Sequence, residues 1–154
     1  MEEYLCEARS LARYAVGKCA REGRPVGALG LQRMLWFLQS VYCHASGGAR
    51  AFPDEFEAWP HGPVLVPVYR EFSRFGGDGI DACREVATPG FEGGAKDFFD
   101  AGIEALRGKS PWELVRTACA PGSPWDEARG GGGAGFGATI PNESVVRAAT
   151  RPAP

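Results

Sequence analysis

The stretch Phe52–Gly77, FPDEFEAWPHGPVLVPVYREFSRFGG, combines turn-forming residues and apolar anchors more densely than any other window of this sequence. In its middle, Pro60 and Pro63 lack a backbone N–H and push the residue before each of them out of the α region. Gly62 accepts a positive φ without steric cost. The segment Glu57–Val64 is therefore predicted to be a rigid turn and not a regular element.

A helix is predicted to follow this turn. Pro67 suits its first position, and Gly76-Gly77 is expected to end it. Its apolar positions recur at i, i+4 and i+7, as one inward-facing stripe requires: Val68, Phe72 and Phe75. Taken alone, the pattern also fits a simpler interpretation in which Trp59 fills a core beneath a fixed turn.

Composition limits the classes of protein to consider. A chain of 154 residues suits one domain with a single core. Its net charge is −2, with 17 Lys and Arg against 19 Asp and Glu, so it has no large electrostatic attraction to nucleic acid or to an anionic membrane. The 22 glycines and 12 prolines indicate many turns and loops.

Cysteine usage and the N-terminus point to a reducing, aqueous compartment. The five cysteines are odd in number and irregularly spaced, with only His44 and His61 beside them, so they form neither a disulfide framework nor a zinc motif. The first residues lack the basic region and apolar core of a signal peptide, and no apolar run reaches the roughly 20 residues of a membrane span. We expect a cytoplasmic protein.

Periodicity predicts a mainly α fold, a single compact helical domain over residues 1–150 with irregular Gly/Pro-rich loops and room for one short β-hairpin. The other predicted helices are about Glu3–Ala20, the very apolar central helix Leu31–Tyr42 closed by Ser46-Gly47-Gly48, Asp97–Leu106, a short helix capped by Ser110, and about Asn142–Ala149. The irregular segments are a second rigid turn at Pro121–Trp125, a short strand at Ala138–Ile140, an unstructured Asp78–Gly94, a flexible loop at Gly130–Gly137 and a frayed tail at Arg151–Pro154.

Two sequence patterns resemble nucleotide-binding loops without satisfying them. Gly108-Lys109-Ser110 looks like the end of a phosphate-binding loop, but Gly102 stands one residue too far away and a helix precedes it where a strand is required. The Gly130–Gly137 run lacks the βαβ frame of a dinucleotide site. We expect no cofactor.

Two clusters are weighed as reactive sites. Cys43 and His61 supply a thiol and a base in principle, but Cys43 lies near an apolar helix face, where a buried thiol is unreactive. The acidic cluster Asp54, Glu55 and Glu57 has metal-binding or acid/base groups, yet such clusters usually lie on solvated surface. Neither a catalytic nor a metal site is predicted.

Four ordered motifs carry a resemblance. They are Leu31-Gln32-x-Met34-Leu35-Trp36-Phe37, Phe56-Glu57-Ala58-Trp59-x-x-Gly62-Pro63-Val64 with Val68-Tyr69-x-x-Phe72, Trp112-Glu113-Leu114, and Gly122-Ser123-Pro124-Trp125. In this order they resemble the Panacea domain, also called the SocA-like antitoxin domain, and prophage proteins of the GepA type are similar. The match runs from about Leu11 to Ala148.

The resemblance implies a mostly helical antitoxin that neutralises a cognate toxin, typically encoded next to it, by direct contact. One family member is also a proteolytic adaptor that delivers its toxin to a ClpXP-type protease. This sequence departs from the pattern at Ala118-Cys119, where the family usually carries Thr-His. No appended DNA-binding domain is visible, and a binding module fits better than an enzyme.

A partner-binding face is predicted at the rigid turn and at polar positions of the central helix. It comprises Gln32, Gln39, Trp59, Pro60, His61, Gly62, Pro63, Val64 and Tyr69. The prolines leave little conformational entropy to lose on association, and Gln32 and Gln39, seven residues apart, share one helix face. The alternative for the two glutamines is internal hydrogen bonding to loop backbone, and for Trp59 and Trp125 it is burial in the core.

Two rival functions remain open at this point. One is a hydrolase that uses Cys43 and His61. The other is a prophage-associated or transcription-linked nucleic-acid binder that uses Arg21, Arg24 and Arg33.

Overall fold

The computed structural model describes residues 4–75, 79–80, 91–130 and 137–151. In these ranges it contains seven α-helices and one three-stranded antiparallel sheet, so the mainly α prediction is confirmed. The helix stop at Gly76-Gly77, most of the Asp78–Gly94 segment, most of the Gly130–Gly137 loop and the tail after Arg151 lie outside the described residues. The elements are α1 Ala8–Arg21, α2 Ala28–Ser46, β1 Phe56–Trp59, β2 Gly62–Val64, α3 Val66–Phe72 with a 3₁₀ turn Ser73–Phe75, α4 Gly93–Arg107, α5 Pro111–Ala118, α6 Pro124–Ala128, β3 Ala138–Ile140 and α7 Asn142–Thr150.

The segment predicted as a rigid turn is a β-hairpin. Trp59 pairs with Gly62 and Ala58 with Pro63, so only Pro60 and His61 remain in the turn. The prediction that Glu57–Val64 contains no regular element was therefore wrong. The strand order is β2-β1-β3, which places Pro63 in an edge strand, where a missing N–H is tolerated. Gly62 has a φ of 128°, the positive value that the turn requires.

The third strand completes the sheet from the far end of the chain. β3 pairs with β1 through Phe56 and Ile140, Glu57 and Thr139, and Ala58 and Ala138. The short strand predicted at Ala138–Ile140 is confirmed. It is followed at once by α7, so the predicted final helix is confirmed as well. The hairpin is thus paired on both sides of β1, which matters because an isolated two-stranded hairpin is only marginally stable.

The central helix α2 lies at the middle of the fold. It packs against α1, α4, α5 and α7, and it runs further in both directions than the predicted Leu31–Tyr42. Gly47 ends it in the left-handed conformation with a φ of 74°, as Ser46-Gly47-Gly48 predicted. Because α2 meets other elements along most of its circumference, its nearly uniform apolar character is that of a largely buried helix, with Leu29 and Val41 as exposed exceptions.

Two buried glutamines of α2 hold the chain on either side of the hairpin. Gln39 Nε2 donates to the Phe52 carbonyl at 2.9 Å, and its Oε1 accepts from the Ala51 amide at 2.8 Å. Gln32 does the same for the single residue Leu65, with distances of 3.1 Å and 2.8 Å. We call these two arrangements the glutamine clamps. They fix the start and the end of the hairpin segment to one helix.

The first helix begins at Ala8, so the predicted start near Glu3 was wrong. The backbone amides of Leu5 and Cys6 both donate to the Ala51 carbonyl, which keeps this part of the chain out of a helix. The carboxylate of Asp54 then accepts from the Ala8 amide at 3.0 Å. A distant side chain, and not a neighbouring N-cap residue, therefore satisfies the first turn of α1.

Phe72 on α3 and Trp59 on β1 differ in how deeply they are buried. Phe56 and Ala58 face the core, whereas Glu57 and Trp59 alternate to the other face of the strand and are only half-buried. Phe72 is fully buried in the core. The interpretation that Trp59 fills a core beneath the turn is therefore not what the structure shows.

Gly102 on α4 packs closely against the Leu38 side chain of α2. A Cβ atom built there would lie 2.5 Å from Cδ2 of Leu38, so a side chain at this position of α4 would force the Leu38 side chain on α2 to move. The helix predicted over Asp97–Leu106 is confirmed and extends from Gly93 to Arg107.

Within the described residues, no helix has both the length and the apolar character needed to cross a membrane.

The Gln39 clamp provides the first prediction. Gln39→Ala leaves the Ala51 amide and the Phe52 carbonyl buried without partners, which should lower the free energy of unfolding by about 3 kcal/mol or more. Urea denaturation followed by circular dichroism measures the change. Val41→Ala on the same helix is the control, because Val41 is 48 % exposed and its truncation should change stability by about 0.5 kcal/mol or less. Equal stabilities for the two variants would contradict the role of the clamp.

The second prediction compares two aromatic residues near the hairpin. Phe72→Ala should cost about 3–5 kcal/mol, as large-to-small core substitutions do. Trp59→Ala should cost clearly less, because the indole is half-exposed on the outer face of β1. Thermal unfolding of both variants tests the order. A Trp59→Ala penalty as large as that of Phe72→Ala would place the indole in the core after all.

Candidate partner-binding surface

The turn of the hairpin projects from the protein and is held from beneath by Arg33. Pro60 and His61 are exposed. Arg33 Nη2 donates to the His61 carbonyl at 2.8 Å, and Nη1 donates to the Leu29 carbonyl at 3.1 Å. The turn is therefore fixed through its main chain, while the His61 ring and the Pro60 ring face solvent.

Arg33 is unusual because it is a buried cation. Its side chain is on α2 and the residue is only 6 % exposed. Within the described residues it makes no ion pair with a carboxylate, and burial lowers the pKa of its guanidinium from the ordinary value. Buried charges are normally paired, whereas the Arg33 guanidinium donates hydrogen bonds to the carbonyl oxygens of Leu29 and His61.

Trp59 and Tyr69 form an aromatic pair on the outer face of the hairpin. Their ring centroids lie 4.8 Å apart in an edge-to-face arrangement. The indole N–H of Trp59 donates to Glu57 Oε1 at 2.9 Å. Tyr69, on α3, is 43 % exposed. An amphipathic aromatic pair beside a fixed turn is typical of residues that anchor protein–protein contacts.

Trp125, at the start of α6, supports the hairpin. Ser123 caps α6 by accepting from the Asp126 amide. Trp125 Nε1 then donates to the Trp59 carbonyl at 2.7 Å. Because β3 pairs only as far as Ala58, this indole takes the place of a further strand partner. Arg129 adds a hydrogen bond to the Ala58 carbonyl at 3.3 Å and lies over the Trp125 ring. Trp125 is thus a half-buried support of the hairpin.

The predicted partner-binding residues divide into exposed and supporting positions. Pro60, His61 and Tyr69 are exposed and Trp59 is half-buried, whereas Gly62, Pro63 and Val64 are buried. Gln32 and Gln39 are buried in the clamps with both amide ends bonded to backbone, which corresponds to the internal alternative. Neither glutamine presents a polar group to a partner on this surface.

The acidic cluster next to the hairpin has a structural role that the sequence did not predict. Asp54 accepts from the Ala8 amide at the start of α1, and Glu55 Oε2 accepts from the Asn142 amide at the start of α7, at 2.8 Å. Carboxylates at helix N-termini also interact favourably with the helix dipole. Within the described part of the chain, no group of three or more His, Cys, Asp or Glu is placed to hold a metal ion.

The thiols have the properties of structural cysteines. Burial raises the pKa of Cys43, and it raises that of Cys6 to about 12. Protonated thiols are poor nucleophiles at neutral pH. Cys119, at the position where the resembling family carries His, is half-buried, and a Cβ on Gly62 would lie 3.7 Å from its sulfur. These observations disfavour the hydrolase alternative, and Cys83 lies outside the described residues.

The nucleic-acid alternative loses one of its three arginines. Arg21 and Arg24 are exposed, but Arg33 is buried beneath the turn and bonded to backbone carbonyls. The three residues therefore do not form one basic surface. Gly108-Lys109-Ser110 follows helix α4, and Ser110 accepts from the Trp112 amide as the cap of α5, which is the predicted cap and not a phosphate site.

Sequence reasoning missed a cavity next to the turn. It has a volume of about 630 Å³, and its walls include Arg33, His61, Lys109 and Trp112. Trp112 is 77 % exposed, although its place at the start of a short amphipathic helix gave no reason to expect this. The position of Arg33 and Met34 on α2 opposite α5 was not visible from spacing alone.

Comparison with known proteins provides one further observation. The chain is 27 % identical over 141 residues to the antitoxin SocA of Caulobacter vibrioides (strain NA1000 / CB15N), and the alignment covers 85 % of this chain and 74 % of that protein. The chain is similar to an antitoxin. No family model matches the sequence, so the Panacea domain stays a resemblance. No solved structure matches it either.

The hydrogen bond from Trp125 on α6 to the carbonyl of Trp59 on β1 provides the third prediction. Trp125→Phe keeps an aromatic ring but removes the N–H that binds the Trp59 carbonyl, so it should lower stability by about 1–3 kcal/mol. Chemical denaturation measures the loss. Trp112→Phe is the matched control, since this exposed indole should tolerate the same change within about 0.5 kcal/mol. An equal loss of stability in Trp112→Phe would show that the loss in Trp125→Phe does not come from the hydrogen bond to the Trp59 carbonyl.

Proposed function

We propose that this chain is an antitoxin that neutralises a cognate toxin by direct protein–protein binding and without catalysis of its own. The observation that carries the proposal is the similarity to the antitoxin SocA over 85 % of the chain. Among the described residues, burial raises the pKa of the Cys43 thiol, and Asp54 and Glu55 accept hydrogen bonds from helix amides, which agrees with a binding function. The cytoplasm is the proposed place of action.

We place part of the toxin contact at the hairpin surface, defined by Trp59, Pro60, His61 and Tyr69. Its backbone is held by Arg33, Trp125 and Arg129. A surface whose main chain is already fixed loses little conformational entropy on association. Tyr69 and Trp59 add amphipathic contact area of the kind that is enriched at binding hot spots.

The fourth prediction tests this placement. Tyr69→Ala, alone and with His61→Ala, should weaken binding to the toxin encoded by the adjacent reading frame by about tenfold or more, the effect of losing about 1.4 kcal/mol. Isothermal calorimetry and rescue of growth on co-expression measure it, with the melting temperature as a check on folding. Val41→Ala, which removes a similarly exposed apolar side chain from α2, should leave affinity unchanged.

Two results would count against the proposal in different ways. If no neighbouring protein is toxic alone and rescued by this chain, the antitoxin function fails. If rescue occurs and the folded Tyr69→Ala and His61→Ala variants bind as tightly as the wild type, the hairpin surface is the wrong site. The half-life of the toxin with and without a ClpXP-type protease distinguishes blocking from delivery to proteolysis, and a shortened half-life that requires this chain would assign it the adaptor role.

A further inference from the structure

The cavity beside the hairpin surface is built by four separate parts of the chain. Three of them are the α1–α2 connection at residues 24–27, the first turns of α2, and the hairpin turn, and the fourth runs from the end of α4 into the start of α5. The cavity is partly open to solvent. At about 630 Å³ it lies within the range of roughly 300–1,000 Å³ that is usual for specific binding pockets.

The charges around this cavity have one sign. Arg24, Arg33, Arg107 and Lys109 belong to its walls, and no Asp or Glu does. Arg107 is neutralised from behind by Glu22 and Glu104, but none of the ion pairs among the described residues involves the other three. In a chain whose net charge is −2, a cavity wall with cations and without carboxylates is a local reversal of sign. Such a wall attracts an anion.

The apolar part of the wall is exposed where a globular protein would normally cover it. Trp112 on α5 is 77 % exposed and Leu29 on α2 is 51 % exposed, and both line the cavity. Exposed aromatic and aliphatic groups next to a concave surface mark sites of association. The occupant must therefore supply an apolar group as well as a negative charge.

Two arginines of the cavity wall are incompletely hydrogen-bonded. In the described part of the chain, the buried side-chain nitrogen and oxygen atoms without a hydrogen-bond partner are Nε of Arg33 and Nε of Arg107. Both residues line this cavity. Native proteins contain few such atoms, and each calls for an explanation. A carboxylate in the cavity would supply the negative counter-charge that the Arg33 guanidinium does not receive from the described residues.

We propose that this cavity binds a segment of the partner toxin in which a carboxylate side chain stands next to an apolar or aromatic side chain. The inference rests on the proposed antitoxin function and extends its contact surface from the hairpin to α5. The carboxylate is bound on the side of Arg33 and Lys109, and the apolar side chain packs between Leu29 and Trp112. A nucleic acid fits less well, because its binding needs a long basic track and this cavity has apolar walls.

The first arm of the test needs no toxin. The ¹⁵N-labelled chain is titrated with 3-phenylpropionate, which joins a carboxylate to an aromatic ring, and separately with the neutral 3-phenylpropanamide. The carboxylate should bind about tenfold more tightly, as expected for a charged hydrogen-bonded contact. The chemical-shift changes that it causes should be confined to residues of the cavity and should include the indole N–H signal of Trp112. The preference should disappear in Lys109→Glu and persist in Arg151→Glu, a charge reversal of an exposed arginine outside the cavity.

The second arm uses the toxin from the adjacent reading frame. Trp112→Ala and Lys109→Glu should each weaken its binding by about tenfold or more, whereas Val41→Ala and Arg151→Glu should not. Trp112 and Lys109 are both exposed, so these variants should keep the wild-type melting temperature. Arg33 is left intact, because its loss would release the hairpin turn.

The possible results separate this inference from the proposed function. A wild-type chain that binds no neighbouring toxin overturns the function itself, and with it a toxin segment as the occupant. A wild-type chain that binds the toxin, with folded Trp112→Ala and Lys109→Glu variants that bind equally well, overturns the cavity alone. Equal binding of carboxylate and amide probes overturns the charge argument. Salt-sensitive binding of duplex DNA that is lost in Lys109→Glu, or a wild-type dimer that is lost in Trp112→Ala, would give the cavity a different occupant.

Discussion

Two side-chain amides organise this fold. The glutamine clamps of Gln32 and Gln39 sit on one helix, seven residues apart, and each binds a backbone donor and a backbone acceptor of a loop. Loop backbone that is buried without such partners would cost several kcal/mol. The clamps therefore allow the chain before β1 and after β2 to lie against an apolar helix. The position of the hairpin relative to α2 follows from these four hydrogen bonds.

The same principle recurs around the hairpin, where polar side chains satisfy backbone groups that have no partner in regular structure. Asp54 and Glu55 bind the first amides of α1 and α7, and Trp125 and Arg33 bind carbonyls of β1 and the turn. The sheet is short, and its strands contribute few hydrogen bonds of their own. Contacts from α2 and Trp125 of α6 hence add the hydrogen bonds that the sheet lacks, while Pro60, His61 and Tyr69 stay exposed.

Periodicity was enough to predict the helices, because a buried stripe repeats every three to four residues whatever its partner is. Periodicity did not predict features that depend on residues far apart in the sequence. The start of α1 depends on Ala51 and Asp54, which lie more than forty positions away. Two prolines and a glycine argued against regular structure at Glu57–Val64, but pairing with β3 stabilises a hairpin there. Glycine is unfavourable inside a helix, but Gly102 in α4 leaves space for the Leu38 side chain of α2, which the local sequence does not reveal.

The candidate surface was predicted less well than the fold, for a related reason. Residue type identified the exposed turn at Pro60 and His61 together with the aromatic pair, and it suggested the glutamines only because their internal partners are invisible in sequence. The contacts that hold the turn all end on main-chain carbonyls, those of Leu29, Ala58, Trp59 and His61. Every residue type has a main-chain carbonyl, so the His61 side chain itself is not required for these contacts. Substitutions at His61 or Tyr69 would therefore alter the proposed toxin contact during evolution while the shape of the hairpin stays constant.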